Sequence, residues 1–145
     1  MNVNQKEIQM ENERKAFLLA NAAKPGGCYS HAVTANGFAY ISGQGPTDPV
    51  TKVKPDDLAG QIRQTIRNVE TILVSLGLSL ADIVKMNVYL SDVTRFTEYN
   101  AVYSEFFPKD PPARTTIGCQ LVGIQVEIDC VAAFPPDYPG PASDL

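Results

Sequence analysis

Residues 111–133 read PPARTTIGCQLVGIQVEIDCVAA, with Arg114 just past a Pro-Pro-Ala turn and Glu127 inside an alternating run. Pro111 and Pro112 cannot sit inside a helix and disfavour one just before them, so Arg114 opens an extended segment with Thr115, Thr116 and Ile117. The second segment puts Ile124, Val126, Ile128, Cys130 and Ala132 on one face and Gln125, Glu127 and Asp129 on the other. Gly123 suits a tight connection between them. The pattern predicts a hairpin bearing a cation and a carboxylate, and places the chemistry there.

Upstream, Ser91-Asp92 and Thr94 offer caps for a helix that ends near Phe107, with Phe96, Tyr99, Val102, Tyr103 and Phe106 as its stripe. Before it, Val84–Leu90 reads as a strand with Val84, Met86, Val88 and Leu90 on one face. The clearest element is earlier. Asp56 and Asp57 favour a helix start, Leu58, Ile62, Ile66, Val69, Leu73 and Leu76 recur at helical spacing, and Gly77 supplies a left-handed stop. Tyr29–Ala35 and Phe38–Ser42 flank Asn36-Gly37, a strong hairpin signal, and Gly43-Gln44-Gly45-Pro46 ends the return strand in a loop. Residues 1–24 read as an extension, a short helix or a segment lying on the body. Residues 25–134 form the domain, and the proline-rich 135–145 is an irregular strap or disordered end. Two strands, a helix, a strand, a helix and two strands make an α+β domain with a mixed sheet and both helices on one face. The opposite sheet face is left bare, which predicts burial against another copy of the chain.

A chain of 145 residues is long enough for one cored domain, and its net charge of −4 without a basic cluster argues against nucleic acid as a partner. No apolar run approaches the roughly 20 residues that span a bilayer, so no membrane partner is expected. The opening MNVNQKEIQMENERK lacks the apolar core of a secretory signal. Three cysteines without metal-ligand spacing fit a reducing cytoplasm, and a single histidine makes a zinc site unexpected.

Arg114 can grip a carboxylate with two parallel hydrogen bonds; it can equally be a structural partner of Glu127 or Asp129. Glu127 is either solvent-facing or, on a covered face, able to handle a proton or a water. Asn100 lies on the aromatic stripe between Phe96 and Tyr103, where an amide must find a hydrogen bond, either in the core or in a site. Tyr29 and the Ser42-Gly43 strand end are further candidates, each with an ordinary packing or turn role as the alternative. Cys28 with His31 is a weak nucleophile pair, because residues three apart on an extended segment point to opposite faces. Lys85 reads as a solvent-facing alternate rather than a Schiff-base lysine, and no phosphate loop or serine elbow is present.

The ordered set Tyr29-Ser30-His31-Ala32-Val33, Ile41-Ser42-Gly43-Gln44-Gly45-Pro46, Gln61–Leu76, Asp82-Ile83-Val84-Lys85, Val88-Tyr89-Leu90, Tyr99-Asn100-Ala101-Val102-Tyr103, Pro112-Ala113-Arg114-Thr115-Thr116 and Val126-Glu127-Ile128 resembles the RidA (YjgF) family of reactive intermediate or imine deaminases. The resemblance spans roughly Gly27 to Ala133. It implies a chorismate-mutase-like (bacillary type) fold, a homotrimer with sites between subunits, and no metal or organic cofactor. The implied activity is hydrolysis of 2-imino or 2-enamino acids, such as those derived from 2-aminoacrylate, to 2-keto acids and ammonia. By the same resemblance Arg114 binds the substrate carboxylate, Glu127 stands near the attacking water, and Tyr29, Asn100 and the Ser42-Gly43 backbone line the pocket. Thr116 stands where many members carry a cysteine; a thiol's role is absent, and the backbone there is left to serve. The connection from Arg114 to Glu127 is shorter than in common members, and the terminal extensions also depart from the pattern. A dedicated catabolic deaminase of 2-aminomuconate type and a non-enzymatic, chaperone-like trimer that binds small carboxylates stay open as alternatives.

Overall fold

Asp57 sets the start of the long helix as its sequence predicts. In the computed structural model, which describes residues 13–138, helix α1 spans Leu58–Ser75. The Asp57 carboxylate accepts from the Gly60 N–H at 3.1 Å and so satisfies a free amide of the first turn. At the other end Gly77 adopts φ 78°, and the Leu78 N–H returns to the Leu73 carbonyl at 2.9 Å. Leu58, Ile62, Ile66, Val69, Ile72 and Leu73 form its buried stripe.

This stripe lies on a sheet of β1 (Lys15–Phe17), β2 (Ala32–Ala35), β3 (Phe38–Gln44), β4 (Ile83–Leu90), β5 (Ala113–Gly118) and β6 (Val126–Ala133), in the order β1-β2-β3-β6-β4-β5. All neighbours are antiparallel except β4 and β5. Helix α2 (Phe96–Tyr103) packs beside α1 after a 3-10 turn, Val93–Arg95, capped by the Asp92 side chain. The mixed sheet and two helices are therefore as expected. Asn36 (φ 51°) and Gly37 (φ 82°) make the tight β2–β3 turn that needs two positive φ values.

The hairpin of β5 with β6 does not form. Strand β4 lies between them, pairing parallel with β5 and antiparallel with β6. Both ends of the connecting segment are tied to the end of β4: the Cys119 N–H donates to the Leu90 carbonyl at 2.9 Å, and the Ser91 N–H to the Gln125 carbonyl at 3.0 Å. The chain thus steps over β4 instead of folding back on β5. Burial explains the choice. Strand β6 buries every second residue, as a central strand does, whereas β5 is largely exposed, as an edge that follows two prolines.

Other boundaries move for local reasons. A register shift between Ile83 and Lys85 turns Val84 outward, 44% exposed, while Met86, Val88 and Leu90 stay buried. The second helix is shorter than the pattern predicts, and Phe107 rather than Phe106 is the buried residue at its end. Strand β2 starts at Ala32 rather than Tyr29, and β3 runs on through Ser42 and Gly43 to Gln44 with an irregularity against β6.

Within the described part of the N-terminal extension the chain is a strand, not a helix. β1 pairs with β2, and Phe17 and Leu19 are buried. His31 fixes the next segment: its Nδ1 accepts from the Leu19 N–H and its Nε2 donates to the Ala23 carbonyl, both at 2.8 Å. Residues 1–12 and 139–145 lie outside the described residues. The start of the proline-rich tail straps α1, where the Tyr138 hydroxyl donates to the Leu76 carbonyl at 2.6 Å and its ring stacks on Phe134. Phe38, Tyr40 and Ile117 stand exposed on the sheet face away from the helices. Among the described residues no helix is long and apolar enough to cross a membrane.

Candidate functional site

Paired residues on adjacent strands share a sheet face, so the register decides which side chains meet. Arg114 stands level with Met86, and Met86 with Cys130; Met86 and Cys130 are buried under the helices. Arg114 therefore points toward the helical side. There its Nη2 donates to the Asn100 Oδ1 at 2.6 Å. Its guanidinium carbon lies 4.6 Å from the ring centre of Tyr103, 5.2 Å from that of Tyr99 and 5.5 Å from that of Phe96. The ion pairs among the described residues are Arg63–Glu105 and Arg95–Glu98, so Arg114 has no carboxylate partner there. Neither Glu127 nor Asp129 takes the structural role that the sequence left open for them.

Glu127 stands level with Tyr89, on the face away from the helices. It lies against Gly43: a methyl group placed on Gly43 would sit 3.1 Å from the Glu127 carboxyl carbon. The absence of a side chain at Gly43 thus makes the room that the carboxylate occupies. Next to it the Ser42 hydroxyl donates to the Ser30 carbonyl at 2.6 Å, which ties the strand end to the loop holding Tyr29. Tyr29 is 47% exposed, and its hydroxyl accepts from the Gly26 N–H at 2.9 Å. On the same face Asp129 accepts from Asn87 at 2.8 Å and from the Tyr89 hydroxyl at 2.9 Å, and the Asp129 bond pushes the Tyr89 phenol pKa upward.

The candidate residues thus form two groups rather than one. Arg114 and Asn100 sit at the β5–α2 edge; Glu127, Gly43 and Ser42 sit on the bare sheet face, with the loop that holds Tyr29 tied to them through Ser42. Thr116 shares the Arg114 side, and its hydroxyl is buried without a hydrogen-bond partner among the described residues. The cysteine–histidine pair is not assembled: Cys28 is exposed, while His31 is buried with both ring nitrogens engaged. Burial pushes the Cys130 thiol up to about 12, which removes it as a nucleophile. Lys85 binds the Thr115 hydroxyl at 2.7 Å.

Two features escape a reading by sequence. The aromatic stripe of α2 reads as core, yet Phe96, Tyr99 and Tyr103 also surround a cation; the polar Asn100 set among them was the available signal. Burial drives the Tyr103 phenol up to about 12 and that of Tyr99 upward too, so both rings face the guanidinium uncharged. The second feature is Gln125. Its side chain accepts from Arg95 and donates to the Asp56 carbonyl, each at 3.0 Å, and its N–H donates to Gln61 at 2.9 Å. This knot fixes the entry of β6 two residues before Glu127, and nothing local in the sequence announces it.

A family model described as Endoribonuclease L-PSP matches residues 19–134. A RutC family protein of Pyrococcus horikoshii is 37% identical over 122 residues, covering 82% of this chain and 97% of the relative. Another from Aquifex aeolicus is 40% identical over 116 residues, covering 77% and 92%. Among solved structures, the YjgF gene product of E. coli superposes with a TM-score of 0.77 at 33% identity over 82% of this chain and 98% of that one. E. coli TdcF with bound serine gives 0.78 at 31% identity over 83% and 99%. A match over nearly the whole described chain, with relatives of this identity and shape, makes the chain a member of the YjgF/RidA family, whose model carries the endoribonuclease L-PSP description.

Proposed function

We propose that the chain is an imine/enamine deaminase, hydrolysing 2-imino acids to 2-keto acids and ammonia. The observation that carries this reading is Arg114, a half-buried cation held by an amide and three rings and paired with no carboxylate among the described residues. Such a group is prepared for an anion that arrives from outside. The bound serine named for the TdcF structure is a small carboxylate of this kind. A nucleic-acid substrate would call for many phosphate contacts, whereas the chain carries a net charge of −4.

Arg114 and Glu127 occupy opposite faces of one sheet, so a single chain does not bring them to one substrate. The proposed site is shared: Arg114 and Asn100 of one copy face Glu127, Gly43 and Tyr29 of a neighbour within a homotrimer of chorismate-mutase-like form. The bare sheet face, with Phe38, Tyr40 and Ile117, is the surface such an assembly would cover. The substrate carboxylate docks on Arg114. Water adds to the carbon of the C=N bond as Glu127 takes one of its protons. That proton passes to the nitrogen to give a carbinolamine; the hydroxyl proton then follows it to the nitrogen through Glu127 as the C=O bond forms and the C–N bond breaks, so that ammonia leaves a 2-keto acid. A cytoplasmic setting belongs to the same proposal.

The test couples an amino-acid oxidase, which generates 2-imino acids, to ammonia release. The expected effect of Arg114→Ala is a roughly hundredfold fall in kcat/KM, or about 3 kcal/mol, with the assembly intact. Full activity in that variant overturns the assignment. A wild-type chain that binds pyruvate but releases no ammonia is a carboxylate binder instead.

A further inference from the structure

We infer that Tyr103 is a positioning residue, holding the Arg114 guanidinium in place while leaving its hydrogen-bonding edge free for a carboxylate. This deepens the anchor reading above and rests on it. An isolated cation on an edge strand would ordinarily be held by an acid. An acid would occupy the in-plane N–H groups that a substrate must use. A ring attracts the cation through its π-face and leaves those donors unspent. Tyr103 is the nearest of the three rings, 4.6 Å from the guanidinium carbon. Asn100 then takes a single donor, and no acid of the described residues competes for the others.

The ring is itself fixed. Tyr99, Tyr103 and Phe107 recur every four residues and contact one another: Tyr103 stacks on Phe107 at 4.6 Å and 28°, and tilts against Tyr99 at 5.5 Å and 31°. Tyr103 is 6% exposed, so its ring has no route to solvent. Its hydroxyl is buried and finds no partner among the described residues. The face of the ring, not its hydroxyl, is therefore what serves Arg114, and phenylalanine is the conservative replacement.

The experiment measures pyruvate binding by calorimetry and steady-state deamination for wild type, Arg114→Ala, Tyr103→Leu, Tyr103→Phe and Phe96→Leu, with thermal melts of each. Tyr103→Leu is expected to weaken pyruvate binding and raise KM about tenfold, with kcat within about twofold of wild type. Tyr103→Phe is expected to return both to near wild type. Phe96 is 41% exposed, so Phe96→Leu perturbs the core little and is expected to weaken binding roughly two- to threefold. A folded Tyr103→Leu that binds pyruvate normally overturns the inference, as does a Tyr103→Phe as weak as the leucine variant. If Tyr103→Leu does not fold, Tyr103→Met, which keeps the bulk without a π-face, takes its place, and normal pyruvate binding in it overturns the inference. Loss of binding in Arg114→Ala alone leaves the anchor standing and removes only the positioning role. Equal binding by wild type and Arg114→Ala removes the anchor itself.

Discussion

Gly43→Ala tests whether the placement of Glu127 matters to the chemistry. A methyl group at Gly43 would lie 3.1 Å from the Glu127 carboxyl carbon, 3.3 Å from Oε1 and 3.4 Å from Cγ. Non-bonded carbons settle at about 3.5–4.0 Å, so the carboxylate must retreat by roughly 0.5 Å. A misplacement of about 1 Å in a reacting group costs on the order of a hundredfold, and half that distance corresponds to roughly tenfold in kcat. KM is expected to hold, because in the proposed site the substrate carboxylate docks on the Arg114 of the neighbouring copy, which the methyl group does not move. Stability is expected within about 1 kcal/mol of wild type, since the unfolded chain loses entropy while a movable side chain yields. Gly43→Val extends the series with a branched side chain that pushes further, to about a hundredfold. The oxidase-coupled assay gives kcat and KM, and urea melts give stability. Wild-type kcat in both folded variants refutes the view that Glu127 handles the proton from its place against Gly43.

His31→Leu strands the Leu19 N–H and the Ala23 carbonyl, and is expected to cost about 2–4 kcal/mol in urea melts; an unchanged midpoint shows that the 19–23 segment is not held by the ring. The Asp92 carboxyl is held below its usual range by bonds from the Thr94 hydroxyl and N–H. A depressed folded pKa contributes stability above the ordinary carboxylate value and loses it as pH falls through the folded value. Asp92→Ala should therefore be less stable than wild type at pH 6, with a gap that narrows as pH falls below the ordinary carboxylate value of about 4; denaturant melts at stepped pH check this, and a gap constant with pH counts against it.

The helical part of the fold was legible because its signals are local. Asp57, the stripe from Leu58 to Leu76 and Gly77 each act within a turn or two of chain, and each does in the structure what its chemistry predicts. Asn36-Gly37 is local in the same sense. Val84 was misplaced because alternation assumes an unbroken pleat, and the shift between Ile83 and Lys85 breaks it. The Gln125 knot joins residues up to 69 positions apart, beyond the reach of any window on the sequence.

The candidate residues can be named from the sequence but their grouping cannot, and one physical limit explains why. A period of two tells which residues of a strand share a face; it does not tell which strand lies alongside. Reading β5 and β6 as a hairpin put Arg114 and Glu127 on one ribbon, within reach of each other. Inserting β4 between them sends Arg114 to the helical side and Glu127 to the bare side. If Arg114 and Glu127 paired within one chain, each would satisfy the other and neither would await a substrate. Their separation leaves the cation without an acid among the described residues and the carboxylate on an open face. That is the condition the proposed shared site requires, in which a second copy of the chain would bring them to the same small molecule.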